Sequence, residues 1–273
     1  MSAQSKSARL TAPAVYARKG AEPLVCLTAY DAPTAAILDP HCDILLVGDS
    51  LGMVVHGLPS TVGVTLDMMI LHGQAVMRAA RRAMVVVDLP FGSYEDSPKS
   101  SWGAASRVLA ETGCQAIKIE SGTYAAETIA YLVERGVPVM AHVGLRPQSV
   151  NVTGGFKSQG RTEAERARIL AEAQAADEAG AFAMVVEGVA EDVARAVTQA
   201  VRAPTIGIGA SAQCDGQILV TPDMLGLFDW TPKFVRRFAD LRAEIDQATK
   251  AYAQAVRTRS FPASAETYAP SQR

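Results

Sequence analysis

MVVVDLPFGSYEDSPKSSWGAASRVLAETGCQAIKIE, residues 84–120, contains one whole folding unit. It opens on MVVVDLP (84–90), a nearly uninterrupted apolar run with the length of a strand. Such runs belong to parallel strands covered on both faces. Ser97-Pro98 then supplies an N-cap followed by proline in the first turn of a helix. Glu111-Thr112-Gly113 ends that helix with glycine where left-handed backbone is favoured, and the strand AIKIE (116–120) follows at once.

The same unit recurs on either side. Further apolar runs are LVCLTAY (24–30), DILLVGD (43–49), VPVMAHV (137–143), FAMVVEG (182–188), PTIGIGA (204–210) and QILV (217–220). Glu134-Arg135-Gly136 and Glu178-Ala179-Gly180 repeat the helix-to-strand joint, and Leu66, Met69, Ile70, Gly73, Met77 and Ala80 fall on one helical stripe. Eight strands, each followed by a helix or loop, predict an α/β protein of the closed (β/α)₈ TIM-barrel class. The expected layout is one domain over 1–273 with its barrel core at about 24–230. A short helix within 8–19 closes the floor, a terminal helix spans 232–257 from Pro232, and a loose polar tail covers 260–273. The connection GLRPQSVNVTGGFKSQGR (144–161) is long and polar, as functional loops are.

Composition narrows the partners. With 273 residues, 49% hydrophobic, and a formal net charge of −2, the chain offers no field for nucleic acid or for an acidic membrane. The basic pairs Arg81-Arg82 and Arg236-Arg237 are isolated and read as solvated helix ends. Cys26, Cys42, Cys114 and Cys214 show no Cys-x-x-Cys spacing, so they read as reduced thiols of a cytoplasmic protein. No apolar run reaches the roughly 20 residues of a membrane span, and MSAQSKSARLTAP lacks a signal-peptide core.

Barrel chemistry sits at the C-terminal ends of the strands. Four of the runs end in an acid there: Asp49, Asp88, Glu120 and Glu187. Two carboxylates about 4 Å apart repel by roughly 4 kcal/mol at an effective dielectric near 20. Such a mouth therefore calls for shared protons or a divalent cation. Asp49, Asp88 and Glu120, from three consecutive strands, are the candidate ligands, and oxygen-only ligation suits Mg²⁺, with Mn²⁺ or Co²⁺ as substitutes. Lys118 lies two residues before Glu120 on the same strand face, where it meets an anionic substrate or pairs with Glu120. Ser50 lies just beyond the strand end, placed to hold a substrate carboxylate. His142 faces inward with Met140 and is either a substrate contact or a satisfied core residue; His41, His56 and His72 read as surface. Gly207 and Gly209 admit a phosphate or serve close backbone packing.

At these residues the chain resembles the ketopantoate hydroxymethyltransferases. The matching stretches are LTAYD (27–31), LVGDSLGM (46–53), DLPFGSY (88–94), IKIESG (117–122), HVGLRPQSV (142–150), GGFKSQGR (154–161), IGIGA (206–210) and DGQILV (215–220), in order along nearly the whole chain. The resemblance implies a barrel of the phosphoenolpyruvate/pyruvate type. Its activity would be transfer of a hydroxymethyl group from 5,10-methylenetetrahydrofolate to 3-methyl-2-oxobutanoate in pantothenate synthesis. By the same resemblance Asp49 and Asp88 hold the metal with Glu120 as third carboxylate, Ser50 and Lys118 bind the oxo-acid, and Glu187 accepts the C3 proton. It also implies a large homo-oligomer, commonly a decamer. Gly188 stands where the family resemblance implies a residue such as cysteine, and Ala210-Ser211 replaces a more usual Ala-Gly, departures that bear on loop shape and folate contacts. Two alternatives stand beside this reading: a carbon–carbon lyase of the same barrel type, and a barrel that binds a metal–anion complex without turning it over.

Overall fold

The computed structural model describes residues 9–268. The first residue of the expected 8–19 helix and the end of the 260–273 tail lie outside them. The chain divides into two compact units, one up to Val220 and one from Thr221.

The first unit is a closed barrel of eight parallel strands in sequence order. They are β1 (Leu24–Thr28), β2 (Ile44–Val47), β3 (Met84–Asp88), β4 (Ala116–Lys118), β5 (Val139–Gly144), β6 (Ala183–Glu187), β7 (Thr205–Ile208) and β8 (Gly216–Leu219). The barrel expectation is met, with one irregularity: residues 209–215 join β7 to β8 without a helix.

Period-two alternation divides the core into two layers. Ile44 and Leu46, Met84 and Val86, Met140, and Ala183 and Val185 pack together in the lumen. Leu45 and Val47, Val85 and Val87, Ala141 and Val143, and Met184 and Val186 pack outward under the helices. Val15, from the helix Ala12–Tyr16, is fully buried and joins the lumen cluster beside Leu24 and Met84, at the strands' N-terminal ends. The floor is closed as expected.

Local signals hold where they were strongest. Ser97 accepts a hydrogen bond from Ser100 N and completes a capping box for the helix Pro98–Thr112. Gly113, Gly136 and Gly180 all have positive φ at the three helix-to-strand joints. The floor also has its own acids. Asp39 accepts from the backbones of Arg81, Arg82 and Ala83, and Asp177 accepts from Arg202 and Ala203. The backbone of the Arg81-Arg82 pair is thus a fixed structural element. The four cysteines are free, as expected, and all four are buried.

In the second unit the terminal helix runs Leu241–Arg257, nine residues later than Pro232 suggested. The backbone explains the difference. Phe238 N donates to Met224 O and Leu241 N to Leu225 O, which commits the segment after Pro232 to a cross-connection. Asp240 then caps the helix by accepting from Ala243 N. The tail beyond it folds back locally, with the Phe261 ring 5.5 Å from that of Tyr252.

Candidate active site

Four inward columns of the lumen end in polar residues at the C-terminal mouth. Met84 and Val86 lead to Asp88, Ala116 to Lys118 and then Glu120, Met140 to His142, and Ala183 and Val185 to Glu187. Asp49 sits two residues past β2, and its approach to β3 depends on Gly48. A Cβ on Gly48 would lie 2.9 Å from Ser50 Oγ and 3.6 Å from an Asp88 carboxylate oxygen. With glycine there, Asp49 N donates to Asp88 Oδ2 at 3.0 Å.

Asp49, Asp88 and Lys118 form one buried constellation. Lys118 Nζ donates to Asp88 Oδ1 at 2.8 Å, so its structural partner is Asp88 rather than Glu120. Burial alone would lower the Lys118 ammonium, but the carboxylates of Asp88, Asp49 and Glu120 outweigh it and hold it above its ordinary value. Asp49 is raised by burial and then by Asp88, against the opposing pull of Lys118 and Gln148. Glu120 is raised well above the usual carboxylate range, first by burial and then by Asp49.

Glu187 and His142 form a second pair. His142 Nε2 lies 3.4 Å from Glu187 Oε2, but without hydrogen-bond geometry. Burial, then Lys118, pushes the imidazole well below its ordinary value, so it is neutral and the contact is not an ion pair. The Leu145 backbone comes near, yet both ring nitrogens are buried with no partner in hydrogen-bond geometry among the described residues. A buried unpaired imidazole is costly, by about 1–3 kcal/mol per unmet group. Glu187 accepts no hydrogen bond among the described residues and does not cap the helix Glu191–Ala200 that follows. Burial is the first cause, with Asp49 and Asp88 adding to it against Lys118, that pushes its carboxyl up to about 8. Its side chain nonetheless keeps 20% of its surface open, and that surface is what a substrate can reach. The contrast with the floor acids is chemical: Asp39 and Asp177 are saturated by backbone N–H groups, and Glu187 is not.

Three further residues organise the mouth and were not singled out in the sequence. Gln148, from the long loop after β5, is buried and donates through Nε2 to Asp49 Oδ2 (2.8 Å) and Leu89 O (3.0 Å). Its backbone N–H donates to the Glu120 carboxylate at 3.0 Å. Tyr94 donates its hydroxyl to Gln148 Oε1 at 2.6 Å and accepts from Glu120 N. Tyr30 shares a 2.8 Å hydrogen bond with Ser50 Oγ, which places Ser50 on the β1 side of the mouth. Periodicity cannot find loop residues, but all three fall inside the stretches that carry the family resemblance.

The donors at the mouth suit a divalent cation in charge and in chemistry. Several desolvated carboxylates share one lysine, so the mouth is short of positive charge, and its oxygens are hard ligands. Among the described residues no three His, Cys, Asp or Glu side chains are arranged to hold one ion. Mg²⁺ needs no more than one or two carboxylates beside water and substrate oxygens, and Asp49 and Asp88 fit that demand.

The remaining sequence candidates resolve differently. A Cβ on Gly207 would meet Cys214 Sγ and Gln217 Oε1 at 3.1 Å, so this glycine serves close packing. His56 and His72 are not independent surface residues: their Nε2 atoms are 3.0 Å apart, and His72 Nδ1 lies 2.6 Å from Tyr30 O. Gly188 has φ +58° with Leu145 packed against it, so the departure there keeps the backbone unstrained.

The family model described as ketopantoate hydroxymethyltransferase matches residues 9–264. A 3-methyl-2-oxobutanoate hydroxymethyltransferase of Hyphomonas neptunium is 70% identical over 268 residues, covering 98% of each chain. One from Maricaulis maris is 67% identical over 272 residues, again covering 98% of each. Among solved structures, 2,3-dimethylmalate lyase, a PEP mutase/isocitrate lyase superfamily member, superposes with TM-score 0.58 at 18% identity, over 96% of this chain and 89% of that one. At that identity the likeness speaks to the barrel type alone.

Proposed function

The chain belongs to the ketopantoate hydroxymethyltransferase family, and from that premise we propose that its barrel mouth transfers a hydroxymethyl group from 5,10-methylenetetrahydrofolate to C3 of 3-methyl-2-oxobutanoate. The product is 2-dehydropantoate, with one water consumed and tetrahydrofolate released. The observation that carries the reading is Glu187: a partly open carboxylate at the mouth, without a hydrogen bond among the described residues, pushed up to about 8.

In this reading Glu187 takes the C3 proton, a step in which a positioned base typically contributes roughly 10²–10⁴-fold. Lys118 uses one N–H on Asp88 and keeps two for the developing negative charge on the oxo-acid's oxygens. Neutral His142 offers its unpaired ring to a substrate oxygen. Ser50, steadied by Tyr30, holds the substrate carboxylate. The enolate carbon bonds to the one-carbon unit, whose two bonds to folate nitrogens both break; water supplies the hydroxyl of the new hydroxymethyl group, and the freed nitrogens take up protons as tetrahydrofolate leaves. Asp49 and Asp88 would hold Mg²⁺, with Glu120 completing the acid set behind Gln148. When bound, the metal supplies Lewis acidity toward the oxo-acid.

The proposal extends to a single catalytic domain and to a cytoplasmic homo-oligomer, commonly ten subunits in the family. Among the described residues no helix is long and apolar enough to cross a membrane. The test is product formation. Chain, Mg²⁺, oxo-acid and 5,10-methylenetetrahydrofolate should give 2-dehydropantoate by NMR, and chelation should stop it until Mg²⁺ is returned. No product under these conditions would overturn the reading.

A further inference from the structure

Beside the mouth lies a second cavity, of about 290 Å³, whose lining includes Gly144, Arg146, Thr153, Lys157, Gln159 and Arg168. Its wall is continuous with the site. Gly144 closes β5 in register with Glu187, Leu145 N donates to Glu187 O, and Gln159 N donates to Gly188 O, each at 2.8 Å.

Three of the lining side chains are cationic. Arg146 and Arg168 share the buried carboxylate of Glu172, at 3.8 and 3.1 Å. Arg168 also donates to Gln159 Oε1 at 3.1 Å. Lys157 makes no ion pair among the described residues. One carboxylate against three cations leaves the lining net positive, more than Glu172 needs for its own compensation. None of these cations has a task in proton removal at C3.

We propose that this cavity binds the glutamyl carboxylates of the folate co-substrate. The inference rests on the function proposed above and names where the far end of that co-substrate is held. Pockets for whole drug-sized ligands run from about 300 to 1,000 Å³, so this one takes an end of a folate and not the whole. The folate nitrogens that carry the one-carbon unit must lie over the oxo-acid, next to Glu187. The opposite end carries two carboxylates on a stiff aminobenzoyl spacer. A net-positive cavity that adjoins the mouth matches that end in sign. The two arginines present planar forks suited to carboxylate, and Lys157 adds a point charge. Thr153 and Lys157 come from the long loop, so the same contact ties that loop to co-substrate binding.

The test compares folates with and without the glutamyl group, on the full Mg²⁺-loaded chain. Tetrahydrofolate and tetrahydropteroate are titrated calorimetrically into wild type and Lys157→Gln, an exposed position where the fold is not at stake. Wild type should bind tetrahydrofolate about tenfold more tightly than tetrahydropteroate, the scale of a charge-assisted contact. Lys157→Gln should narrow that ratio to about threefold, and Arg168→Lys, which retains a cation for Glu172, should narrow it as well. Equal affinities in wild type would overturn the proposal. So would a Lys157→Gln effect of the same size on both ligands, which marks a structural role. A wild-type chain that forms 2-dehydropantoate equally well from either one-carbon donor sinks this inference alone, and one that forms none from either sinks the function.

Discussion

Replacing Glu187 by glutamine should make the metal-free protein more stable while disabling it. The carboxyl is held at about 8 against an ordinary 4.5. At roughly 1.4 kcal/mol per tenfold, ionising it in the fold therefore costs at most about 5 kcal/mol. Water reaching the open fifth of the side chain and local relaxation reduce this to roughly 1–3 kcal/mol. Below pH 4.5 the group is protonated in both folded and unfolded chains and contributes nothing. Between 4.5 and about 8 the unfolded chain releases the proton that the native state keeps, so this group's contribution falls as pH rises. Above 8 the full penalty applies. Glutamine has the same shape and no such penalty. Urea denaturation in the presence of a chelator should give nearly equal wild-type and Glu187→Gln stabilities at pH 4, and a variant more stable by about 1–3 kcal/mol at pH 8.5. A difference independent of pH, or a wild type more stable at pH 8.5, would refute the reasoning.

Two other outcomes are expected. Gln148→Leu removes donors to Asp49 and Leu89 and the acceptor for Tyr94, so it should lower stability by about 2–4 kcal/mol through unmet buried groups; a loss under about 0.5 kcal/mol by urea midpoint would show that the mouth does not depend on it. In the loop 144–161, Gln148 is buried while Val152 is 91% exposed, so limited proteolysis should cut within 151–158, and oxo-acid with Mg²⁺ should slow it. Equal rates with and without ligand would make the loop purely structural.

The barrel was legible because its signals are local and repeated. Apolar runs, the Ser97-Pro98 start and the three glycine joints each report backbone geometry within a few residues. Asp88 and Glu187 stand out because an apolar strand run ends in an acid, and Lys118 because it shares a strand face with Glu120 two residues on. Gln148, Tyr94 and Tyr30 do not, because their importance lies in contacts that span 99, 26 and 20 residues of sequence. No periodicity encodes such distances. The Pro232 start failed for a related reason: proline permits a helix start, but the carbonyls of Met224 and Leu225 claim the backbone first. Lys118 shows the limit within a strand. Its face was readable, but its choice of Asp88 over Glu120 is set by the neighbouring strand, where Asp88 and Lys118 stand in register.

The central claim is that Glu187 removes the C3 proton of 3-methyl-2-oxobutanoate, and the most direct measurement is deuterium exchange at that carbon, followed by NMR in D₂O with Mg²⁺ and no folate. Wild type should exchange the C3 proton at an enzyme-dependent rate. Glu187→Gln should exchange at least about 10²-fold more slowly, with oxo-acid affinity within a few-fold of wild type. Exchange persisting at the wild-type rate in Glu187→Gln would contradict the account and assign the base to another residue.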